Sequence, residues 1–375
     1  MRFEELYDQR TEGSLSVEEA ARILGVDVRT FRRWCHRYEE EGAVGLADQR
    51  LAKIAHNAAP IDEVLELLSL FETRYPRFTV AHFYDKYRDE HKGIRGYTWV
   101  KTQLQKAGLV NKASKRGAHR RKREREPMTG MLLHQDGSTH LWIPGQYWDL
   151  IVTMDDADNK IYSAFFVEEE GTFSSFQGVK EVVRQQGLFC SLYTDRGSHY
   201  WNTPQCGGKV DKINLTQFGS AMRHAGIEMI PAYSPEARGR SERMFGTLQG
   251  RLPKELALEG ICEMGKANQF LKEKYLPAHN QRFVVKPRQE ETAFIPWVEG
   301  NLNLDDIFCL KESRIVNKDN TVTYKTRVLQ IPKNYYRHHY VKKTVIVHEY
   351  ENRQMSVFLG PRCLGRYDTE GILIT

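Results

Sequence analysis

Three acidic residues have types and positions suited to binding divalent metal ions. Asp136 and Asp195 each follow a short apolar run, in the segments HQDGS and YTDRGSHYW, and Glu242 lies near the start of a predicted helix in SPEARGRSERMFGTLQ. Carboxylate oxygens suit hard cations, and Mg²⁺ keeps several waters unless substrate phosphates replace them. Two metal ions held by three such acids could activate an attacking oxygen and stabilise a leaving one in phosphoryl transfer.

Each acid also has a plainer interpretation. An aspartate at a strand end more often forms a turn or caps a helix than binds a metal, and a glutamate on a polar helical face is usually solvated. Glu236 is the next candidate for the third ligand, but it precedes the helix beside Pro235. Asp155 and Asp156 fall in a predicted hairpin turn and are interpreted as turn residues. The residues alone therefore favour Asp136 and Asp195 more strongly than Glu242.

The elements around these acids predict a mixed sheet covered by helices. Short apolar runs and amphipathic stretches give the order β-β-β-α-β-α-β-α. If the first and fourth strands are neighbours, Asp136 and Asp195 lie at their carboxyl ends and can share a metal ion. The predicted elements are strands 131–136, 148–154 and 161–167, helix 172–187, strand 189–194, helix 216–225, strand 227–231 and a helix that begins near 238.

The N-terminal region, about 12–50, predicts a helix-turn-helix. Ser16 and Glu19 have capping-box spacing, Gly25 allows a tight break, and Asp27 can cap a second helix over 28–41. Phe31, Trp34 and Tyr38 fall on the inward face of that helix, and its outward face is basic. Such a face suits reading of the DNA major groove, whereas an ordinary helical hairpin is the plainer alternative. The predicted DNA contacts are Arg29, Thr30, Arg32, Arg33, His36 and Arg37.

A second helical region spans 61–110, with helices predicted over 61–74, 80–90 and 97–107. It resembles another three-helix DNA-binding unit that contacts DNA through Lys101, although a helical spacer has a similar pattern. The following segment, 111–126, has eight basic and two acidic residues and is interpreted as a linker that lies along phosphates. Its predicted DNA contacts are Arg120, Arg121, Lys122 and Arg123.

The charge is distributed unevenly along the chain. Residues 1–127 contain 25 Lys and Arg against 20 Asp and Glu, residues 128–300 contain 18 against 21, and residues 301–375 contain 12 against 8. Basic flanks suit a polyanionic partner, because each neutralised phosphate releases condensed counterions. After about 305, short strands with interleaved basic residues predict a small all-β barrel that contacts DNA or another subunit.

These observations predict a multidomain chain. Its N-terminal units are all-α, its central domain is an α/β mixed sheet, and its C-terminal domain is a small β-barrel. The predicted boundaries are 1–55 for the helix-turn-helix, 56–110 for the second helical unit, 111–127 for the linker, 128–300 for the catalytic core and 301–375 for the barrel.

The order helix-turn-helix, QxDGS, YTDRGS, TQFGxA and SPxAxGRxERxFGTLQxRL resembles insertion-sequence transposases of the ISNCY type. These belong to the DDE superfamily, which shares the integrase catalytic core. The resemblance covers nearly the whole chain. It implies an RNase H-like core in which Asp136, Asp195 and Glu242 form the acidic triad, and it selects Glu242 over Glu236. Between Asp195 and Glu242 stand 46 residues, and an inserted loop accounts for a spacing longer than the shorter superfamily pattern.

The resemblance also implies a chemistry and its partners. Two Mg²⁺ or Mn²⁺ ions per site would support hydrolysis at transposon ends and transfer of the freed 3′-hydroxyl to target DNA. The basic residues around Glu242, namely Arg238, Arg240 and Arg243, are interpreted as DNA contacts, and His199 as a candidate substrate contact. The expected partners are double-stranded DNA, comprising terminal inverted repeats and target, and further copies of the chain in a homodimer or larger assembly.

Two other functions remain open from the sequence. A metal-dependent nuclease on the same core would hydrolyse DNA without joining it, and a DNA-binding repressor would have an inactive core. No apolar run approaches the roughly 18–20 residues needed to cross a bilayer, so no membrane partner is expected. The scattered cysteines and polar N-terminus favour a reducing compartment, and we expect a cytoplasmic, nucleoid-associated protein.

Overall fold

The computed structural model describes residues 2–47, 59–112, 124–205, 208–233, 239–298, 303–333 and 337–374. Contacts between residues divide the chain into two compact units. The first comprises Met1–Arg74 with Thr102–Leu109, and the second comprises Tyr75–Lys101 with Val110–Thr375. The predicted helices over 61–110 are present but fall partly in each unit, as α4 (Ile61–Arg74), α5 (Val80–Asp89) and α6 (Tyr97–Lys106).

The first unit begins with a helix that the sequence analysis did not predict. Helix α1 (Phe3–Thr11) buries Leu6 and places Phe3 against Phe31 of α3, with ring centroids 5.5 Å apart. Helix α2 (Val17–Leu24) has the predicted capping box, in which Ser16 Oγ accepts from the Glu19 N–H and Glu19 accepts from the Ser16 N–H. Helix α3 (Val28–Glu41) begins at Asp27, whose carboxylate accepts from the Thr30 N–H at 3.0 Å.

The second unit contains a five-stranded sheet with the order β3-β2-β1-β4-β5. Strands β1 and β2 are antiparallel, as are β2 and β3, whereas β4 and β5 run parallel to β1. This is the predicted mixed sheet, and β1 and β4 are neighbours. The strands are β1 (Leu132–Ile143), β2 (Gln146–Asp155), β3 (Ile161–Val167), β4 (Ser191–Thr194) and β5 (Glu228–Pro231).

Helices cover both faces of this sheet. Helices α7 (Thr172–Gln186) and α8 (Gln217–Ala225) bury one face, with Phe176 stacked on Phe218 at 5.6 Å. On the other face, α9 (Gly239–Leu258), α10 (Met264–Phe270) and α11 (Leu276–Phe283) pack against a second apolar cluster that includes Val152 and Phe166. A π-helical turn, Leu271–Tyr275, joins α10 to α11.

The expectation that the first strand ends at Asp136 is wrong. Strand β1 continues to Ile143 and pairs with β2 through a tight hairpin at Pro144 and Gly145. Asp136 lies in the middle of β1, opposite Val152. Its neighbour on the other side, β4, ends at Thr194, so β1 passes beyond the end of β4 near Asp136. Asp136 therefore lies beside the end of the shorter neighbouring strand, and not at an end of β1 itself.

Helix α5 is attached to α9 and α11 by charged side chains within the second unit. Asp85 accepts from Arg251 at 2.7 Å and also pairs with Arg282, and Lys86 lies 2.8 Å from Glu255. His82 is buried and its Nε2 lies 2.6 Å from the same Glu255 carboxylate. We refer to this set as the α5 ion network. Because removing one member of a buried pair leaves the other uncompensated, the network fixes α5 on α9.

The C-terminal region is all-β but is not the predicted closed barrel. After α12 (Leu304–Ile307), an open sheet forms in the order β12-β11-β10-β9-β6, and a separate hairpin pairs β7 with β8. The hairpin packs on the open sheet around a shared core that includes Val322, Leu329 and Val347. Since the hairpin forms a sheet of its own, it does not close the five strands. The strands are β6 (Leu310–Ile315), β7 (Thr321–Tyr324), β8 (Arg327–Gln330), β9 (Thr344–Glu349), β10 (Met355–Leu359), β11 (Arg362–Tyr367) and β12 (Leu373–Ile374).

Candidate metal-binding site

Asp136 and Asp195 are matched positions on neighbouring parallel strands. The pairing of β1 with β4 joins Leu132 to Ser191 and runs in step to His134 and Tyr193. Two further residues in the same register bring Asp136 level with Asp195, and neighbouring strands lie about 4.8 Å apart. Asp136 is 7% exposed and Asp195 is half-buried. The two carboxylates therefore share one edge of the sheet, beside the end of β4.

The buried hydroxyl of Tyr200 lies within the electrostatic reach of both aspartates. Burial raises the pKa of Tyr200 well above its ordinary value, and the negative charges of Glu170, Asp136 and Asp195 raise it further. The hydroxyl lies 3.1 Å from Gln135 Oε1 and 3.3 Å from Glu170 Oε1. The charges of Glu170, Asp136 and Asp195 thus all act on this one buried hydroxyl.

Glu170 is a residue of this region that the sequence analysis missed. Its carboxylate lies against the backbone of Gly137, where an added Cβ would be 2.3 Å from Glu170 Oε2. His199 Nε2 lies 3.4 Å from Glu170 Oε1, although without hydrogen-bond geometry. Three consecutive acids, Glu168 to Glu170, follow the end of β3, and β3 runs parallel to β1. The signal in the sequence that could have indicated Glu170 was this run of acids directly after a predicted strand.

Helix α9 passes over β1 on the face that carries Asp136. Asp136 and Ser138 pair with Val152 and Leu150, which belong to the core under α9. Gln249 of α9 donates to Ser138 Oγ at 2.9 Å. Arg240, near the start of α9, binds Asp156, which binds His134. The nine residue steps of helix from Arg240 to Gln249 and the four residue steps of strand from His134 to Ser138 each span about 13.5 Å. Because the contacts join the two starts and the two ends of these segments, α9 and β1 run side by side in the same direction.

Glu242 lies in the first turn of α9. Glu242 lies seven residues before Gln249, on the same stripe of the helix, and its side chain is exposed. Among the described residues no three His, Cys, Asp or Glu side chains are arranged to hold a metal ion. The triad of Asp136, Asp195 and Glu242 therefore stays a prediction.

His199 follows Asp195 in the loop after β4. The Gly197 N–H donates to Asp195 Oδ1 at 2.9 Å, and this turn brings the imidazole of His199 close to the same glycine. The ring of His199 lies on the ring of Tyr200, with centroids 3.9 Å apart. The predicted substrate contact therefore lies in the same turn as Asp195.

The turn acids occupy a different environment. Asp155 is the last residue of β2 and Asp156 follows it in the predicted turn, and both are fully buried. Asp156 accepts from His134 Nε2 at 2.7 Å and from the Glu126 N–H at 2.8 Å, and it pairs with Arg240. Burial alone would raise the pKa of Asp156, but these bonds outweigh it and hold the pKa far below its ordinary range. We call Asp155, Asp156 and Asp158 the turn acids.

Asp155 shows the opposite shift. Its carboxylate accepts from the N–H groups of Gly130 and Ala157, each at 2.8 Å. Burial nevertheless dominates and raises the pKa of Asp155 to about 7, assisted by the charges of Asp158 and Asp156. This residue organises the turn that holds Gly130, just before β1.

The basic residues predicted to contact DNA have unequal surroundings. Arg240 is directed inward to Asp156, whereas Arg243 is exposed and lines a small cavity with Arg125 and Thr247. On α3, Arg29, Arg32, Arg33 and His36 are exposed, and Thr30 and Arg37 are half-buried. Lys101 of α6 is exposed as well. Five predicted contacts lie outside the described residues: Arg120, Arg121, Lys122, Arg123 and Arg238.

Two of the α3 contacts also have local roles. Thr30 Oγ1 donates to the capping carboxylate of Asp27 at 2.6 Å. Arg37 donates to the Ala47 carbonyl oxygen at 3.1 Å. The inward face is as predicted, because Phe31 is buried and Trp34 and Tyr38 are half-buried against Phe3. Arg29, Arg32, Arg33 and His36 are thus the exposed predicted contacts on this helix.

Comparison with known proteins gives matches over the N-terminal region and over nearly the whole chain. Residues 6–53 match a family model described as a helix-turn-helix domain. A putative transposase, y4bF, of Sinorhizobium fredii is 28% identical over 362 residues, which cover 94% of this chain and 77% of that protein. The transposase for insertion sequence IS1202 of Streptococcus pneumoniae is 30% identical over 161 residues, covering 43% of this chain and 34% of that protein.

Solved structures give weaker likenesses. A chain from the simian T-cell lymphotropic virus intasome, in complex with PP2A regulatory subunit B56 gamma, is 18% identical with a TM-score of 0.33, covering 47% of this chain and 59% of that chain. The HTLV-2 integrase catalytic core domain in complex with magnesium is 14% identical with a TM-score of 0.30, and the match covers 38% of this chain and 82% of that chain. The description of the fold therefore rests on the strand order and pairings above.

A search of the described helices for membrane spans found none with the length and hydropathy required. The transposase relationship extends over 94% of the chain, and its N-terminal part matches the helix-turn-helix model. The chain is therefore similar over nearly its whole length to a putative transposase and, over part of its length, to the transposase of an insertion sequence.

Proposed function

We propose that this chain is a DDE DNA transposase that binds transposon ends, cleaves them by metal-dependent hydrolysis and joins the 3′-hydroxyl ends to target DNA. The observation that supports this most directly is the register of β1 and β4, which brings Asp136 level with Asp195 beside α9. A pair of carboxylates at one sheet edge is the donor set from which Mg²⁺ is commonly held, together with substrate phosphates.

The residues present fit a divalent cation in kind. Asp136 and Asp195 supply hard oxygen donors, and the Gly197 N–H fixes one oxygen of Asp195. We assign Asp136, Asp195 and Glu242 as the ligands of two Mg²⁺ or Mn²⁺ ions. Such ions lower the pKa of an attacking oxygen and stabilise the leaving one, so the reaction needs no protein nucleophile.

The chain's own residues then have three tasks. The strand pairing brings Asp136 level with Asp195, and α9 carries Glu242 in its first turn. The exposed arginines of α3 and Arg243 would bind DNA.

In the first step a water oxygen forms a bond to phosphorus as the bond to the 3′-oxygen breaks. In the second step that 3′-oxygen attacks a target phosphate and displaces the target strand's 3′-oxygen.

Substitution of the acids tests this assignment. We expect Asp136→Asn, Asp195→Asn and Glu242→Gln each to reduce end cleavage at least a hundredfold, while binding of terminal-repeat DNA stays within about threefold. Glu236→Gln serves as the matched control for Glu242, because it is the nearest competing acid in the same segment. Retained cleavage in Asp136→Asn or Asp195→Asn would refute the proposal.

Two assays separate the alternatives. A nuclease would cleave ends but fail to join pre-cleaved 3′-hydroxyl ends to a target duplex, whereas a transposase joins them. A repressor would bind the same DNA and show no Mg²⁺-dependent cleavage at all. Because joining two ends requires two sites, we also expect a dimer or larger assembly on end DNA, which sedimentation with labelled ends would detect.

A further inference from the structure

Glu170 connects two segments that carry the candidate ligands. Its backbone N–H donates to Asp149 of β2 at 2.7 Å, which anchors the residue to the sheet. Its side chain then lies over Gly137, the residue after Asp136, so closely that no Cβ could fit between them. On its other side the carboxylate meets Tyr200 and His199, which belong to the loop that begins at Asp195.

Gln135 completes this connection from the other side of Asp136. Its Nε2 donates to Thr153 Oγ1 at 3.0 Å and to the Ser175 carbonyl oxygen at 3.1 Å, so the amide has one orientation. Its Oε1 is thereby directed at the Tyr200 hydroxyl at 3.1 Å. The residues on both sides of Asp136 are therefore tied to the same tyrosine, one directly and one through Glu170.

The loop that carries Asp195 is fixed by the same tyrosine. Tyr200 is 1% exposed, and its ring packs edge-on against Phe218 of α8 at 5.0 Å. The Tyr200 carbonyl oxygen also accepts from Thr216 Oγ1 at 3.0 Å, just before α8 begins. Loss of the Tyr200 hydroxyl bonds would leave the ring in its apolar cluster but would release β1 from the loop.

We propose that Glu170 is a positioning residue of the metal site, holding the Asp195 loop against β1 through Tyr200 so that Asp136 and Asp195 keep the separation a shared cation needs. This rests on the proposed function, since it concerns the same two ligands. Partners that orient metal ligands change metal affinity by about 10–100-fold when they are removed. Glu170 and Tyr200 act on the ligands and not on the substrate.

The test measures metal binding directly, using Mn²⁺ as a paramagnetic probe and the full chain. We expect Glu170→Ala and Tyr200→Phe each to weaken Mn²⁺ binding about tenfold, measured by the free Mn²⁺ signal in electron paramagnetic resonance. Glu170→Gln keeps an oxygen that accepts a hydrogen bond from Tyr200. The Mn²⁺ affinity of this variant should therefore fall by no more than about threefold. The Mg²⁺ concentration for half-maximal end cleavage should rise in the same order, with kcat at saturating Mg²⁺ changed much less.

Glu169→Ala is the matched control, because Glu169 is the exposed neighbour in the same acidic run. It should leave Mn²⁺ affinity unchanged, which separates positioning from a general loss of negative charge. If Glu170→Ala does not fold, Tyr200→Phe decides the question, and unchanged Mn²⁺ affinity in that variant overturns the proposal. Unchanged affinity in Asp136→Asn would instead overturn the metal site itself, so the two failures are distinguishable.

Discussion

The aspartates of the core form two groups with opposite surroundings. Asp156 is fully buried and receives bonds from His134, the Glu126 N–H and Arg240, all from its own chain. Asp195, by contrast, is half-buried just after the end of a strand, and its carboxylate accepts a hydrogen bond from the Gly197 N–H, two residues along the chain. A carboxylate whose oxygens are satisfied by the fold stabilises the fold, whereas one left accessible at a strand end can accept a cation.

The arginines near these acids differ in the same way. Arg240 is directed at the buried Asp156, and its neighbour Arg243 is exposed on the same helix. The basic residues that crowd the segment SPEARGRSER indicate, from the sequence alone, a polyanionic partner. The structure accounts for one of them by an internal anion. The presence of a buried partner therefore decides which charges can act on DNA.

The largest effect on stability should come from removing the charge of the buried aspartate, compared with removing that of the half-buried one. We expect Asp156→Asn to lower the free energy of unfolding by about 3 kcal/mol or more, because Arg240 and His134 lose a buried anionic partner. Asp195→Asn should change it by less than about 1 kcal/mol. Urea denaturation followed by tryptophan fluorescence measures both. Equal losses of stability would break the distinction between the two groups.

A second effect concerns pH and the turn acids. The pKa of Asp155 is raised to about 7 in the folded protein, so the folded state favours the protonated carboxyl group. Its stabilisation is complete below the unfolded pKa near 3.8 and is lost as pH rises through about 7, a change of roughly 2–4 kcal/mol. Asp156 has a lowered pKa, so its contribution is present above the unfolded value and lost at more acid pH.

Substitution isolates the Asp155 contribution. Asp155→Asn should flatten the fall in Tm between pH 4 and about 8, because asparagine does not titrate. The matched variant Asp158→Asn, in the same turn, should flatten it less, since the raised pKa of Asp158 is a smaller shift. A wild-type Tm that rises across this window, with no difference in Asp155→Asn, would contradict the assignment.

The smallest effect tests the comparison on the arginines. Arg32→Ala and Arg33→Ala should each weaken binding of the cognate end by about 1–3 kcal/mol and relax its specificity, with Tm unchanged. Arg240→Ala should lower Tm through Asp156. Neutralising changes in 120–125 should mainly flatten the salt dependence of binding. Fluorescence anisotropy on cognate and unrelated duplexes separates these outcomes, and equal effects on specificity would contradict the division.

The sequence predicted those elements whose local signals agree with their packing. Ser16 and Asp27 cap their helices as expected, and the order of strands and helices in the core is as predicted. Helix α1 was missed, because its apolar residues are few and its contacts with Phe31 are made across the chain. The β-barrel was wrong because alternation predicts strands but not which strand closes on which.

The candidate site was predictable in part for a similar reason. Asp195 follows a short apolar strand, so its position at a strand end could be derived. Asp136 was expected at a strand end but lies buried within β1, beside the end of the shorter β4. Glu170 reaches the site from another strand over a glycine, a relation between segments that periodicity does not reveal. The choice of Glu242 depends on the family motif.

The α5 ion network has a consequence for the order in which the chain folds. Asp85 is made 166 residues before Arg251 and 197 before Arg282, and His82 is made 173 residues before Glu255. At about 5–20 residues per second, a ribosome needs roughly 8–40 seconds to supply these partners. The first unit's helix-turn-helix segments are therefore complete while α5 still lacks the helix on which it docks.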